Sequence, residues 1–257
     1  MAKTYLWQNF LRDSKYIDFM ISKIEKLKEN NNYSIVFEIW PWKWALTKKI
    51  INVYDNINLF EKDETFKDIL NDLIGDKWEI IWWDVLKLDI NSLIENKKIE
   101  LENVFIVGNL PYYITSPIFR KFFVDFQWFK WWIFMIQKEV WEKIKTLAHK
   151  KSYLWWLLNY RYDVKYLKNV PAKAFSPAPN VDSCIVELII KNQKPNLKFD
   201  RLIEFLDNVS MFKRKTLWKI FKMVKEKNNK FDFNLPDNLS IKRLEDISWE
   251  EMEIIVN

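Results

Sequence analysis

Short apolar runs alternate with stretches of helical period over the first 190 residues, and few folds accommodate that alternation. Residues 34–39, 56–61, 79–81, 103–107 and 133–136 read as buried strands. Residues 159–168 and 182–190 add two more, separated by a segment holding Pro171, Pro177 and Pro179. Residues 13–29 place Ile17, Ile21, Ile24 and Leu27 on one helical face, behind Asp13 as a cap. Residues 45–54 are expected to form a helix. Asp63 is expected to cap another, with Phe66, Ile69, Leu70 and Leu73 inward and Gly75 at its end. Strands alternating with helices predict an α/β protein: a mostly parallel, seven-stranded sheet with helices on both faces. Beyond residue 192 the pattern becomes helical, over 200–211, 214–227 and 248–256, the last opened by the capping box Ser248-x-x-Glu251. Two domains are therefore expected, 1–192 and 193–257.

Several classes fall away at once. There is one cysteine, Cys184, and one histidine, His149, so a disulfide framework and a Cys/His metal site are excluded, and no metal is expected. A Ser-His-Asp triad would have to use His149, which sits in the basic stretch Ala-His-Lys-Lys. No run of 18 apolar residues marks a membrane span. The first 15 residues lack an apolar secretory core, so the chain reads as cytoplasmic.

The turn after the first strand is where such a sheet brings backbone N–H groups up to a nucleotide. Here it reads Glu38-Ile-Trp-Pro-Trp-Lys-Trp-Ala45, with three indoles where bare main chain is wanted. The chain holds only two glycines and 15 tryptophans in 257 residues. The two types together make up about 6.6%, close to the roughly 7% that glycine alone usually takes. The arithmetic points to tryptophan letters standing at glycine positions, as a UGA codon read as glycine in the source would produce. The other reading is a Trp-rich chain that binds RNA or carbohydrate by stacking.

Three further segments follow the next three strands and should line the same sheet edge. Glu61 ends the second strand 21 residues after Trp40, the separation at which a carboxylate can accept both ribose hydroxyls. Asp84, after the third strand, can accept from an adenine amino group or simply cap a turn. Asn109-Leu110-Pro111-Tyr112 follows the fourth. There a carboxamide and a backbone carbonyl can together accept from an amine, and Tyr112 offers a flat face. With Trp read as Gly the first turn also fits a dinucleotide fingerprint, but Glu38 entering it and the lack of a hydride-transfer acid/base speak against a dehydrogenase. No P-loop arises, because no Gly-Lys is followed by Ser or Thr even with every Trp changed to Gly.

These segments lie within a longer match. The chain resembles the KsgA family of S-adenosylmethionine-dependent ribosomal RNA adenine dimethyltransferases nearly end to end. Tyr5-Leu-Trp-Gln-Asn-Phe-Leu11 matches the family's opening motif with Trp7 at a glycine, and Glu38-Ile-Trp-Pro-Trp42 matches its Glu-Ile-Gly-Pro-Gly turn. Asn109-Leu-Pro-Tyr-Tyr-Ile-Thr-Ser-Pro117 matches its N6-adenine motif. Met135-Ile-Gln-Lys-Glu-Val140 and Phe175-Ser-Pro-Ala-Pro-Asn-Val-Asp-Ser183 match further blocks, and Phe212-Lys-Arg-Lys-Thr216 is similar to its Arg-Arg-Lys-Thr region. The departures cluster at tryptophan: positions 7, 40 and 42, and Trp83 before Asp84.

The resemblance implies a Rossmann-like class I methyltransferase sheet with a small helical domain that binds RNA. It implies that Asn9 and Leu11 cover S-adenosylmethionine and that Glu38, Trp40 and Trp42 form the cofactor turn. Glu61 would hold the ribose, Asp84 the cofactor's adenine amino group, and Asn109 would sit between cofactor and target. Tyr112 and Phe175 would sandwich a flipped-out adenine. Asn109, with a Leu110 or Pro111 carbonyl, would aim N6 at the donated methyl, so positioning supplies most of the catalysis. The 41 basic against 35 acidic residues, net +6, fit an RNA partner. Lys213, Arg214, Lys215 and Lys219 are the expected RNA contacts, though any single Lys can equally be a solvated helix face. The expected partner is 16S ribosomal RNA in the small-subunit precursor, met by a monomer without membrane involvement. Two alternatives stay open: a large-subunit rRNA adenine methyltransferase of the macrolide-resistance type, whose motif usually carries Ile at position 110, and a non-catalytic RNA-binding factor of the same fold.

Overall fold

A computed structural model describes residues 10–30, 34–41, 44–75, 78–82, 84–125, 129–145, 151–212 and 214–257. Its elements run β1 (Phe10–Leu11), α1 (Ser14–Asn30), β2 (Ile35–Ile39), α2 (Thr47–Ile50), β3 (Ile57–Glu61), α3 (Lys67–Ile74), β4 (Glu79–Trp82) and α4 (Ile90–Lys97). They continue β5 (Val104–Asn109), α5 (Thr115–Asp125), β6 (Trp131–Gln137), α6 (Lys138–Lys145), α7 (Tyr153–Arg161), β7 (Tyr162–Val170), β8 (Phe175–Ser176) and β9 (Ser183–Ile190). Three helices follow: α8 (Phe199–Val209), α9 (Leu217–Lys227) and α10 (Trp249–Val256). The chain divides into two compact units, Met1–Trp141 with Val164–Ile190, and Glu142–Asp163 with Lys191–Asn257.

The first unit is built on the expected seven-stranded, mostly parallel sheet, in the order β4-β3-β2-β5-β6-β9-β7. Strands β2 to β6 are parallel where they pair, and β9 runs antiparallel to β6. The central strands are apolar throughout because both faces are covered. Val36, Phe105, Val107 and Ile133 join a core cluster with Ile17, Ile21 and Ile24 of α1. On the alternate residues, Phe37 meets Phe60 at 5.1 Å between ring centroids, and Phe119 of α5 meets Phe134 at 5.5 Å. From β2 the chain builds outward through β3 and β4, then returns to place β5 on the other side of β2. The topological switch therefore falls between β2 and β5, the place past the carboxyl ends where open sheets of this kind bind ligands.

Three local expectations change. The helix expected over 45–54 is a single α-helical turn, α2, followed by turns through Val53. The Asn52 side chain donates to the Lys48 carbonyl at 3.0 Å and offers the backbone an alternative to helix. The strand expected over 159–168 begins at Tyr162, because residues 153–161 are helical. The domain boundary expected at 192 also leaves out a segment: residues 142–163 cluster with the C-terminal helices. The cause is packing. Trp156 and Tyr160 of α7 lie in one buried cluster with Leu202, Phe205, Ile220 and Met252, and the Tyr160 hydroxyl donates to the Leu197 carbonyl at 2.9 Å. None of the described helices is long and apolar enough to cross a membrane.

Candidate active site

The four parallel strands β2 to β5 end at one edge of the sheet, and there the structure gathers Glu38, Trp40, Glu61, Asp84 and Asn109. Register sets the spacing: Ile39 lies opposite Phe60 on one side and Gly108 on the other. The approach of β2 to β5 is so close that a Cβ on Gly108 would stand 2.6 Å from the Ile39 carbonyl oxygen. Only glycine fits there.

The turn after β2 asks for glycine in a second way. Trp40 and Trp44 take positive φ, 62° and 58°. That region costs an L-residue roughly 1–2 kcal/mol and is an outlier for a bulky side chain. Glycine enters it freely. The Trp40 indole nitrogen is buried with no hydrogen-bond acceptor, as are those of Trp78 and Trp156. Trp42 lies outside the described residues, as do Trp7, Asn9 and Trp83.

Glu38 is buried, and its Oε2 has no hydrogen-bond partner. Burial pushes its carboxyl up to about 8, with the charge of Glu61 adding to the rise and Thr47 opposing it. Glu61 is 2% exposed. Its Oε1 accepts from the backbone N–H of Lys62 at 2.8 Å and of Asp63 at 2.9 Å, which fixes the carboxylate plane. Burial raises this carboxyl too, against those two bonds. Asp84 behaves oppositely. Burial would raise it, but the Lys62 ammonium at 3.0 Å, the Leu86 N–H at 3.1 Å and the charge of Lys87 hold it below its ordinary value. The edge thus presents two buried carboxylates held toward the neutral form and one paired carboxylate held ionised.

At the end of β5, the Leu110 N–H donates to the Met135 carbonyl at 3.1 Å and locks the motif to β6. The Pro111 carbonyl already accepts twice, from the Ile114 N–H at 3.2 Å and the Thr115 hydroxyl at 2.9 Å. Of the two carbonyls expected to receive a target amine, Pro111's is therefore already used by the turn into α5. Tyr112 is half-buried, its phenol 2.5 Å from the hydroxyl of Ser183, which is fully buried. Burial raises the Tyr112 phenol further. Leu11 pairs with Phe175 across β1 and β8, so the opening motif meets the Pro-rich block. Phe175 is only 4% exposed and belongs to the core, not to an open platform.

Arg214, Lys215 and Lys219 are exposed in the second unit, and Lys213 and His149 lie outside the described residues. Sequence reasoning missed Thr47, Lys62, Gly108, Thr115 and Ser183 as supports of this site. Lys62 and Thr115 were within reach, since they adjoin motif residues. Ser183 closes the Pro-rich block, but nothing in its spacing tells that it meets Tyr112.

The family profile described as Ribosomal RNA adenine dimethylase matches residues 1–257. A Ribosomal RNA small subunit methyltransferase A of Francisella tularensis subsp. novicida is 35% identical, over 100% of this chain and 97% of its own length. Among solved structures, a dimethyladenosine transferase from Plasmodium falciparum superposes with a TM-score of 0.70 at 23% identity, covering 95% of both chains. The 23S rRNA methyltransferase ErmE superposes with a TM-score of 0.61 at 20% identity, covering 84% of both. At these identities the two structural likenesses speak for the fold. A sheet edge of this design and a profile and relative matched along the full length converge on one placement: the chain belongs to the ribosomal RNA adenine dimethylase family.

Proposed function

We propose that this protein transfers methyl groups from S-adenosylmethionine to N6 of adenines in small-subunit (16S) ribosomal RNA, giving dimethyladenosine. The observation that carries the reading is the placement of Asn109 and Leu110 at the β2–β5 switch point, beside the buried carboxylates of Glu38 and Glu61. The residues fit the cofactor. Its positive charge suits the unpartnered buried Oε2 of Glu38, and its ribose diol suits a carboxylate fixed as Glu61 is. When bound, it supplies a methyl carbon made electrophilic by a sulfonium. Asp84 would accept from its adenine amino group, Asn9 and Leu11 would cover it, and the main chain at 40 and 42 would pass beneath it.

The remaining work belongs to this chain. The Asn109 side-chain oxygen and the Leu110 carbonyl would accept hydrogen bonds from the N6 amine and draw its lone pair out of conjugation toward the methyl carbon; as the N–CH3 bond forms and the sulfonium C–S bond breaks, the proton displaced from N6 leaves to solvent, one for each methyl. Tyr112, held by Ser183, supplies a flat face to the flipped base. Stacking on Phe175 requires local opening, given its burial. Catalysis by orientation needs no histidine base. The helical unit, with Arg214, Lys215 and Lys219, together with Lys213, would hold RNA phosphates, and a cytoplasmic monomer suffices for this chemistry.

Asn109→Ala is expected to lower methyl transfer to small ribosomal subunits by about 100-fold, the scale of a lost positioning contact, while S-adenosylmethionine binding persists. Full activity in that variant would remove Asn109 from the mechanism. Isolated small and large subunits assayed side by side separate this reading from a large-subunit methyltransferase. A chain that binds RNA but not S-adenosylmethionine, with glycine at 40, 42 and 44, would instead be a non-catalytic RNA-binding factor.

A further inference from the structure

The block Met135-Ile-Gln-Lys-Glu-Val140 matches one in the family, yet none of its side chains takes part in the transfer. It spans the end of β6 and the start of α6, and its half-buried polar residue is Gln137. Register fixes where Gln137 stands. Asn109 lies opposite Met135 across β5 and β6, and Gln137 lies opposite Ser183 across β6 and β9. Residues opposite one another on adjacent strands share a face, as do residues two apart on one strand. Asn109, Met135, Gln137 and Ser183 therefore line one face of the sheet edge. It is the face on which Met135, Ile185 and Phe175 join the same core cluster.

The backbone around Gln137 is held in place. The Lys138 N–H donates to the Asp182 carbonyl at 3.0 Å, and the Asp182 carboxylate accepts from the Ala172 N–H at 2.9 Å. These bonds fix the end of β6 against the Pro-rich block. Ser183, in register with Gln137, is the residue whose hydroxyl contacts the Tyr112 phenol. Gln137 is thereby tied by register to Asn109 on one side and, through Ser183, to Tyr112 on the other. Two ordinary uses of such a side chain are missing. Gln137 immediately precedes α6, where Ser, Thr, Asp or Asn would cap and Gln is not favoured. Among the described residues, none hydrogen-bonds the Gln137 carboxamide.

We propose that the Gln137 carboxamide reads the target adenine, donating an N–H to ring nitrogen N1 beside the amine that Asn109 receives. The proposal rests on the function argued above and adds recognition of the ring to it. A flipped base is read along its Watson–Crick edge, where adenine presents an amine donor next to the N1 acceptor. Each carboxamide carries an oxygen acceptor and an NH2 donor. Asn109 uses the first toward the amine, and Gln137 uses the second toward N1. Contacts at both atoms leave the ring one orientation in its plane, which is what transfer to N6 requires.

The test uses the full chain and small-subunit RNA carrying adenosine, 1-deazaadenosine or 7-deazaadenosine at the methylated position. Gln137→Leu is expected to lower kcat/KM on adenosine about tenfold, the scale of one lost hydrogen bond. S-adenosylmethionine affinity, read by calorimetry, should stay unchanged in that variant and so report an intact sheet edge. Replacing N1 by C–H should penalise the unmodified chain about tenfold more than it penalises Gln137→Leu, because the bond is already gone there. The 7-deaza ring should penalise both chains alike. Gln137→Glu keeps the shape but offers a donor only when protonated, so its rate relative to the unmodified chain should recover as pH falls. Should Gln137→Leu fold poorly, Gln137→Met takes its place. Equal 1-deaza penalties in the two chains overturn the proposal, and so does a difference that appears with the 7-deaza ring instead. A rate ratio for Gln137→Glu that ignores pH also overturns it. Transfer by the unmodified chain to plain RNA is measured first: its absence fells the function argued above, whereas equal rates for it and Gln137→Leu fell only the role of Gln137.

Discussion

Trp40 and Trp44 carry the sharpest tension in the molecule between letter and backbone. Both stand in the left-handed region beside a turn that must approach a ligand, and Trp40 buries an indole N–H that finds no acceptor. Each costs roughly 1–2 kcal/mol in backbone energy that glycine does not. Gly108, one strand away, shows what the edge accepts: bare main chain, where an added Cβ would stand 2.6 Å from the Ile39 carbonyl oxygen. We expect Trp40→Gly with Trp44→Gly to bind S-adenosylmethionine more tightly than the tryptophan-bearing chain, measured by calorimetry. Peptide mass spectrometry of the protein from its source should find glycine at 40, 42 and 44. Weaker binding in the glycine variant, with indoles present in the source protein, would defeat the recoding explanation.

Elements differ in how openly the sequence announces them. α10 is declared by Ser248-x-x-Glu251, and both halves of the box form: the Ser248 hydroxyl accepts from the Glu251 N–H at 3.2 Å, and Glu251 Oε2 accepts from the Ser248 N–H at 2.9 Å. Ser248→Ala is expected to cost about 1 kcal/mol, read as a lower urea midpoint at unchanged slope; no shift would mean the box is redundant with the packing of Met252, Ile255 and Val256. α3 is marked only in part: the Asp63 side chain accepts from the Thr65 N–H at 3.0 Å and so caps the 3-10 turn at Glu64–Phe66 that leads into it, Gly75 closes it at a φ of 58°, and Ile69, expected inward, is 50% exposed. α7 has a single N-cap, the Ser152 hydroxyl accepting from the Trp155 N–H at 3.1 Å, but no periodicity to go with it. Its sequence, Tyr-Leu-Trp-Trp-Leu-Leu-Asn-Tyr-Arg, is apolar nearly all round, and five of its nine residues are buried, so no polar face sets a period.

Acid–base behaviour is a property of the complete fold, because burial creates it. Glu38 titrates near 4.5 when solvated and at about 8 in the native protein. Between those values the unfolded chain has released a proton that the folded chain keeps. Stability therefore falls as pH rises through this window and levels off above about 8, at ~1.4 kcal/mol per unit of displacement. Glu61 acts in the same direction. Asp84, lowered, acts oppositely: its contribution is present above the unfolded value of 3.8 and is lost as pH falls. Urea midpoints taken from pH 5 to pH 9 should decline, and Glu38→Gln should flatten the decline. An identical slope in that variant would place the proton elsewhere.

The strands, most of the helices and the edge motifs were legible from residue order alone, because alternation, caps and turn residues act over a few positions and every local preference agrees. The place of Asn109-Leu-Pro-Tyr112 at the end of its strand was legible for the same reason. What residue order left open were pairings across long separations: Ile39 against Gly108, the Tyr112 phenol against Ser183, the addition of residues 142–163 to the helical unit, and the use of the Pro111 carbonyl within its own turn. Periodicity says which face of an element is buried but not which element buries it. That choice follows from strand order and packing, which exist only once the chain has closed on itself.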